Sequence, residues 1–398
     1  MSDPLLAWLL TDAQRHLDGA GFVAGLAGAI EDAGVPIDRV WLGYIRPHPL
    51  VAGVGACWER DSGAYTVFLP FERRAAAMTP SGPIDRAIRD GGPIRVRIAE
   101  LERGAENLLE SLWDDGYVDL VILGLRWAEA NGEQTAVITF ATRRESGYAD
   151  AEIARFAGLR GALALHAELL DRRLSLDVIT KTYLGHDAGR RVLDGAIHRG
   201  DGETITAAIW FSDLRGFTAL SERLPLTELL ELLDDAFQAQ VTAIERRGGE
   251  VLKFIGDGML AIFRGRADSG LAQEEAACAA ALAATRDLEV AIAQVNHERQ
   301  ARGAEAIRYG VALHYGDVLY GNIGAKGRLD FTVIGPAVNL AARLEPICGQ
   351  LGVPAVASAD FATRCPEEVT PAGEYSLKGL SAPVEVFLVP SASGPRPS

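Results

Sequence analysis

Two aspartates in the second half of the chain stand where a carboxylate could hold a divalent cation. The first, Asp213, follows the apolar segment 204–212, which predicts a buried strand, and Gly216 then allows a turn into a helix. A carboxylate at a strand end can bind a hard cation, and free N–H groups at residues 214–218 can cradle phosphate oxygens. For this position alone, an ordinary helix-capping Asp is the alternative.

The second aspartate, Asp257, lies between two apolar segments, 249–255 and 258–263. The Gly-Asp-Gly sequence between them predicts a tight hairpin with this carboxylate at its tip. If the hairpin pairs beside the strand that leads to Asp213, the two carboxylates converge on one or two magnesium ions, as metal-assisted phosphoryl chemistry requires. A turn without a chemical role is the alternative.

A third segment, 328–345, carries a polar pair on a predicted helix. Pro336 suits the first turn of a helix, and Asn339 and Arg343 then share one face because they are four residues apart. An amide and a guanidinium on an otherwise apolar helix predict a polar ligand. The alternative is a solvated helix face with a surface arginine.

In this order, the segments resemble the catalytic domain of class III nucleotidyl cyclases, the family that forms cyclic AMP or cyclic GMP. The resemblance spans about residues 204–390 and is carried by FSDLRGFT (211–218), LKFIGDG (252–258), DFTVIGPAVNLAARLE (330–345) and SLKGL (376–380). It implies conversion of ATP to 3′,5′-cyclic AMP and pyrophosphate, with two Mg²⁺ or Mn²⁺ ions per active site. It also implies a homodimer whose two active sites are shared between the chains.

The resemblance assigns metal binding to Asp213, Asp257 and the Leu214 carbonyl, and reading of the purine to Lys253 and Thr332. Many members of the family carry Asp where this chain has Thr332. The Lys/Thr combination is similar to the subgroup called class IIIb, whose members mostly use ATP. Adenylate cyclase is therefore the expected activity, and a guanylate cyclase or a catalytically silent nucleotide-binding module is the alternative.

The same resemblance implies that Asn339 orients the ribose and that Arg343 stabilises charge on the reacting phosphate. Further substrate contacts are expected, mainly to the triphosphate, from Gly216, Phe217, Thr218, Lys326, Arg328 and Lys378. Around the last three residues the match to the family is loose, so which basic residue holds the triphosphate stays open.

Composition predicts a cytoplasmic enzyme of two or three domains. The chain has 398 residues, of which 48% are hydrophobic, and its apolar runs fall short of the ~18 residues of a membrane span. A formal net charge of -15 argues against a nucleic-acid partner. The four cysteines show neither close pairing nor metal-ligand spacing.

The predicted fold class is α+β throughout. Its parts are a GAF-like sensory domain at 1–165, a helical linker and junction at 166–203, a ferredoxin-like palm catalytic domain at 204–390 and a flexible tail at 391–398. In the last domain we expect Thr227 to cap a helix over 228–247, a second helix at 271–299, and strands at 307–314 and 318–323.

The first domain resembles GAF-like domains in architecture only, with a helical start and strands in an antiparallel sheet. A small-molecule ligand is the expected role, and a dimerisation scaffold is the alternative. Haem ligation by His16 or His48 is a third interpretation.

The segment 148–182 predicts one long helix. In a heptad frame, one seam holds Phe156, Leu163 and Leu170, and the other holds Ile153, Ala167 and Leu174. We expect these positions to form a dimer seam, and the alternative is a helix packed on its own domain.

Overall fold

The computed structural model describes residues 3–44, 53–69, 82–100, 111–129, 132–265, 271–365, 367 and 369–390. Contacts between residues divide the chain into two compact units, Met1–Val178 and Ile179–Ser398. The predicted tail at 391–398 and His48 lie outside the described residues.

The first unit is built on a six-stranded antiparallel sheet with the strand order β3-β2-β1-β6-β5-β4. Its strands are β1 (Arg39–Tyr44), β2 (Gly53–Glu59), β3 (Gly63–Leu69), β4 (Ile94–Arg97), β5 (Asp119–Glu129) and β6 (Gly132–Thr142). Its helices are α1 (Pro4–Thr11), α2 (Gly19–Asp32), α3 (Pro83–Asp90), α4 (Ser111–Asp114), α5 (Asp150–Gly158) and the start of α6 (Arg160–Leu184).

Strand β6 shows why the sheet has helices on both faces. Ile138 and Phe140 belong to the core under α1, α2, α5 and α6, whereas Val137 and Ala141 belong to the core under α3 and α4. Successive side chains of a strand point to opposite faces, so an unbroken apolar run is buried on both sides. The predicted α+β architecture with an antiparallel sheet is confirmed, and the GAF-like assignment stays a prediction.

His16 packs inside this unit. Its ring lies 5.8 Å from the ring of Trp8, and a Cβ atom added at Gly25 would meet His16 Nε2 at 2.4 Å. The glycine is therefore what lets the histidine ring lie against helix α2.

The predicted dimer seam is wrong over its first half. The expected single helix is divided into α5 and α6 at Leu159, and Phe156, Leu163 and Leu170 are 0%, 1% and 4% exposed within the core of the first unit. Arg160, which interrupts the heptad pattern, donates a 2.8 Å hydrogen bond to the Gly124 carbonyl. These side chains pack on their own domain, because the surrounding core removes their apolar surface from water.

The second unit holds an eight-stranded sheet with the order β13-β14-β12-β10-β7-β9-β8, and β11 pairs with β10. Its strands are β7 (Gly202–Leu214), β8 (Gly249–Ile255), β9 (Gly258–Phe263), β10 (Tyr309–Ala325), β11 (Arg328–Ile334), β12 (Ala355–Ser358), β13 (Thr370–Tyr375) and β14 (Val384–Leu388). Its helices after α6 are α7 (His186–Leu193), α8 (Phe217–Arg223), α9 (Leu226–Arg246), α10 (Gln273–Ala301), α11 (Pro336–Leu351) and α12 (Ala359–Ala362).

Three details of this unit differ from expectation. Helix α9 begins at Leu226 after Pro225 without a side-chain cap, so Thr227 is not the N-cap. The strands expected at 307–314 and 318–323 are the single strand β10, because its pairing with β7 continues unbroken from Tyr309 to Gly321. Helix α7, inside the predicted junction, was not expected. Within the described part of the chain, no helix combines the length and apolar character that crossing a bilayer requires.

Candidate active site

Asp213 and Asp257 meet at one end of strand β7. Strand β9 pairs with β7 up to Met259 opposite Ser212, which confirms that the hairpin lies beside the first strand. Gly258 makes the approach close: a Cβ atom there would lie 2.6 Å from the Ser212 carbonyl oxygen and 3.3 Å from Asp213 Oδ1. The tip of the hairpin is thus held against the end of the strand.

The two carboxylates disfavour each other's charge. Burial, together with the neighbouring Asp257 carboxylate, raises the pKa of Asp213 to about 6, against the lowering effect of Arg215. A divalent cation between the two side chains would relieve this repulsion. Oxygen donors of this kind are those that Mg²⁺ prefers, so the residues fit the expected metal.

The described residues contain no group of three or more His, Cys, Asp or Glu side chains that could hold a metal ion. An ion at this end of β7 would therefore use Asp213, Asp257, the Leu214 carbonyl and oxygens of its ligand. Magnesium commonly binds in this way, through one or two carboxylates and substrate phosphates.

The sequence analysis did not predict a buried ion pair that lies beside this site. One guanidinium nitrogen of Arg215 lies 2.6 Å from Glu345 Oε1 and also donates a 2.8 Å hydrogen bond to the Glu345 main-chain carbonyl. The Glu345 side chain is 4% exposed, and burial raises its pKa to about 7, with Arg215 opposing the shift. Asp213 and Asp257 raise it as well, so the three carboxylates share one electrostatic environment.

Gly216 lets the chain turn from β7 into helix α8. Its φ of 74° lies in the left-handed region that favours glycine, and the helix begins at the next residue, Phe217. The main-chain N–H groups of the first turn, which includes Thr218, have no partner within the helix. They can donate to an anion at this end of the strand.

Asn339 and Arg343 share one face of α11, as expected, and line a cavity of about 660 Å³. The cavity is also lined by Thr206 and Asp317, which are joined by a 2.6 Å hydrogen bond. No hydrogen bond or ion pair joins the Arg343 guanidinium to another described residue, and it lies beside Gly379. The arginine is therefore available to an anion in this cavity.

Within one chain, helix α11 separates the two halves of the predicted site. Arg343 and Glu345 are two residues apart, which places them about 200° apart around the helix axis. Glu345 faces Arg215 and the two aspartates, whereas Arg343 projects towards Gly379 on the other side. The structure therefore brings Asp213 and Asp257 together but does not bring Asn339 and Arg343 to them.

The predicted purine-reading residues lie on neighbouring strands, β8 and β11. Lys253 Nζ is 3.1 Å from Asp330 Oδ2, a partner that the sequence argument missed. Thr332 is 3% exposed, and its hydroxyl has no hydrogen-bond partner among the described residues. A buried hydroxyl left unpaired costs about 1–3 kcal/mol, which a ligand with a matching polar group would recover.

The remaining basic candidates are exposed. Arg328 begins strand β11, Lys326 lies in the turn before it, and Lys378 follows the buried Leu377. Their contact with a substrate stays a prediction.

The second unit is similar to known proteins. Residues 202–390 match the model of the adenylate and guanylate cyclase catalytic domain. An adenylate cyclase of Anabaena cylindrica is 34% identical over 160 residues, which cover 39% of this chain and 30% of the relative. Adenylate cyclase 1 of Rhizobium meliloti (strain 1021) is 31% identical over 182 residues, which cover 45% and 26%.

The chain thus spans less than a third of the length of these curated relatives. Among solved structures, the guanylyl cyclase Cya2 is 28% identical, with 49% of this chain and 96% of that chain covered and a TM-score of 0.42. Adenylate and guanylate cyclases both occur among the similar proteins.

Proposed function

We propose that this protein is an adenylate cyclase, which converts ATP to 3′,5′-cyclic AMP and pyrophosphate. The observation that carries the proposal is the convergence of Asp213 and Asp257 at the end of β7, inside the segment that matches the cyclase catalytic domain. A silent nucleotide-binding module would have no need to hold two mutually repelling carboxylates together.

The reaction is an in-line attack of the ribose 3′-hydroxyl oxygen on the α-phosphorus, with pyrophosphate as the leaving group. When bound, Mg²⁺ or Mn²⁺ would lower the pKa of that hydroxyl and neutralise the triphosphate. Asp213, Asp257 and the Leu214 carbonyl would hold the metals. The N–H groups from Gly216 to Thr218 would bind phosphate oxygens at the start of α8.

The other residues would position the substrate and stabilise charge. Asn339 would orient the ribose, and the Arg343 guanidinium would neutralise charge that develops on the α-phosphate. Lys253 would donate to adenine N1, and the unpaired Thr332 hydroxyl would accept from the 6-amino group. Guanine presents the opposite pattern at both atoms, which favours ATP over GTP.

The active site is proposed to be shared between two identical chains. Helix α11, about 10 Å across, lies between Arg343 and the metal carboxylates of the same chain. A closed two-fold dimer would supply Asp213 and Asp257 from one chain and Asn339 and Arg343 from its partner, giving two equivalent sites.

Mixing two inactive variants tests the shared site. In a heterodimer of Asp257→Ala and Arg343→Ala chains, one site carries both defects and the other carries neither. Random exchange makes half of the dimers mixed, so activity should recover to about a quarter of wild type. The matched control is a mixture of Asp257→Ala and Asp213→Ala chains, which stays inactive because both sites lack a metal carboxylate.

A mixture that remains inactive after chain exchange has been demonstrated would overturn the shared site. Cyclic nucleotide formation from ATP and from GTP, with Mg²⁺ or Mn²⁺, tests the activity itself. Equal kcat/KM for both nucleotides would reject the adenine preference, and no product from either would reject the enzyme.

The first unit is proposed to regulate this activity. It has its own core, and helix α6 leads from that core into the catalytic unit along the chain. A chain that begins at residue 179 should keep cyclase activity with a changed kcat. Kinetics identical to those of the full chain would exclude a regulatory role.

A further inference from the structure

The Arg215 guanidinium lies beside the two aspartates of the candidate site but pairs with neither. It forms an ion pair with Glu345 Oε1 at 2.6 Å and donates a 2.8 Å hydrogen bond to the Glu345 main-chain carbonyl. Among the described residues, no ion pair or hydrogen bond joins this guanidinium to Asp213 or Asp257. Burial and Asp257 raise the pKa of Asp213, and the charge of Arg215 opposes that rise, so the guanidinium is near. A permanently charged cation thus stands next to two carboxylates without pairing with them.

The main chain at Arg215 is fixed by contacts that do not involve the Glu345 side chain. The Arg215 N–H donates a 2.8 Å hydrogen bond to the Arg308 carbonyl. The next residue, Gly216, has the φ of 74° that turns the chain into helix α8. The turn can therefore keep its course while the long arginine side chain rotates about its single bonds. What the Glu345 carboxylate decides is the direction of the guanidinium.

Two glycines make room for the guanidinium on the side of helix α11. Gly310 on β10 is the strand partner of Asp213, and a Cβ atom there would collide with the Arg215 guanidinium and with Glu345 Oε1. On α11, a Cβ atom at Gly349, one turn after Glu345, would lie 3.2 Å from a guanidinium nitrogen. The ion pair therefore occupies a space that the chain keeps free of other side chains, directly beside Asp213.

Stability alone does not account for a carboxylate at position 345. The Glu345 side chain is 4% exposed, and burial disfavours its charged form and raises its pKa. A neutral side chain of similar shape would avoid the cost of burying a charge. The location of the pair next to the proposed metal ligands points instead to a role in the site.

We propose that Glu345 is a positioning residue for the metal site. Its carboxylate holds the Arg215 guanidinium over Gly310, which leaves the two aspartates free to bind the cation. Without this carboxylate, the guanidinium would turn to the aspartates, because an arginine can form two parallel hydrogen bonds with a carboxylate. A divalent cation would then have to displace it. This role rests on the proposed metal site and concerns how that site is kept open.

Binding of Mn²⁺ alone to the full chain tests this role without any turnover, and the electron paramagnetic resonance signal of the free ion reports it. Glu345→Gln removes the charge of the carboxylate and keeps its shape. We expect this variant to bind Mn²⁺ about tenfold more weakly, because the ion must displace a charge-assisted hydrogen bond. The measurement is made at pH 8, where the wild-type carboxyl, with a pKa of about 7, is mostly ionised.

Gly310→Ala disturbs the same pair while every charge is kept. The added methyl group takes space that the guanidinium and Glu345 Oε1 occupy, so the arginine side chain must move. We expect Mn²⁺ binding to weaken at least about threefold in this variant. If Glu345 acted only through its own negative charge, Gly310→Ala would keep the wild-type affinity.

Arg215→Met removes the competing guanidinium and should restore binding. Added to either variant, it should return the Mn²⁺ affinity to within about twofold of the wild type. The matched control is Glu222→Gln, at an exposed position on α8, which removes one negative charge without touching the pair. It should change the affinity less than about twofold, because solvent and salt screen an exposed charge. Melting temperatures establish that each variant is folded.

Weaker binding in Glu345→Gln and in Gly310→Ala, with recovery in both double variants, supports the proposal. Wild-type affinity in either single variant, or weaker binding that Arg215→Met does not restore, overturns it and leaves the metal site intact. Mn²⁺ binding that Asp257→Asn does not weaken overturns the metal site and this role with it.

A crystal structure of metal-free Glu345→Gln decides the question if Gly310→Ala does not fold. A guanidinium that pairs with either aspartate supports the proposal. A guanidinium that stays over Gly310 overturns it.

Discussion

Replacement of Glu345 by Gln should stabilise the metal-free protein at alkaline pH. The Glu345 side chain is 4% exposed, and burial raises its pKa from an ordinary value of 4.5 to about 7. The folded protein therefore holds a proton on this carboxyl over a pH range in which the unfolded chain has released it. Linkage then requires the free energy of unfolding to fall as the pH rises from about 4.5 to about 7.

The size of the effect follows from the two pKa values. Each pH unit of difference corresponds to about 1.4 kcal/mol, so the ionised carboxylate costs about 3 kcal/mol above pH 7. Glutamine keeps the shape of the protonated form and cannot ionise. Arg215 is 25% exposed and retains its 2.8 Å hydrogen bond to the Glu345 main-chain carbonyl, so the guanidinium is not left without a partner.

Denaturant unfolding in a chelator at pH 5 and pH 8.5 measures this difference. Glu345→Gln should be more stable than wild type by about 1 kcal/mol at pH 5 and by about 3 kcal/mol at pH 8.5. Glu231→Gln, at an exposed position on α9, is the matched control and should show no such dependence. A stability difference that is the same at both pH values would refute the reasoning.

Four further outcomes are expected. Asp257→Asn should lower kcat by about 10²-fold or more while the Tm stays near wild type, and near-normal turnover would reject its role in metal binding. Thr332→Val should raise the stability of the ligand-free protein by up to about 1–3 kcal/mol, since the buried hydroxyl has no partner among the described residues, but should cost about 1–3 kcal/mol in kcat/KM for ATP. Thr227→Ala should change the unfolding free energy by less than about 0.5 kcal/mol. Ser358→Ala should cost about 1 kcal/mol or more, because that hydroxyl caps α12 and bonds His314 at 2.7 Å.

The sequence by itself determined the features that depend on neighbouring residues. The strand leading to Asp213, the hairpin around Asp257 and the start of α11 at Pro336 were all predicted, and the structure has them. Glycine and proline restrict the backbone locally, and an apolar run identifies a buried strand, so these inferences need no knowledge of distant contacts.

The tertiary structure decided what depends on distant residues. Arg215 and Glu345 are 130 residues apart, and no spacing rule predicts that they pair beside the two aspartates. Helix α11 separates Arg343 from the two aspartates for the same reason. Glu345 on one face contacts Arg215, and Arg343 on the other lies beside Gly379.

Helix α6 shows the same limit in its packing. Its apolar residues satisfy two heptad frames, and the sequence pattern favoured the frame that contains Leu163 and Leu170. Those side chains are buried in the core of the first unit, which leaves Leu165, Leu169 and Leu176 on the outside. Periodicity shows that a helix has an apolar face, but only the surrounding elements decide which face the core takes, because burial depends on the surface that packs against it.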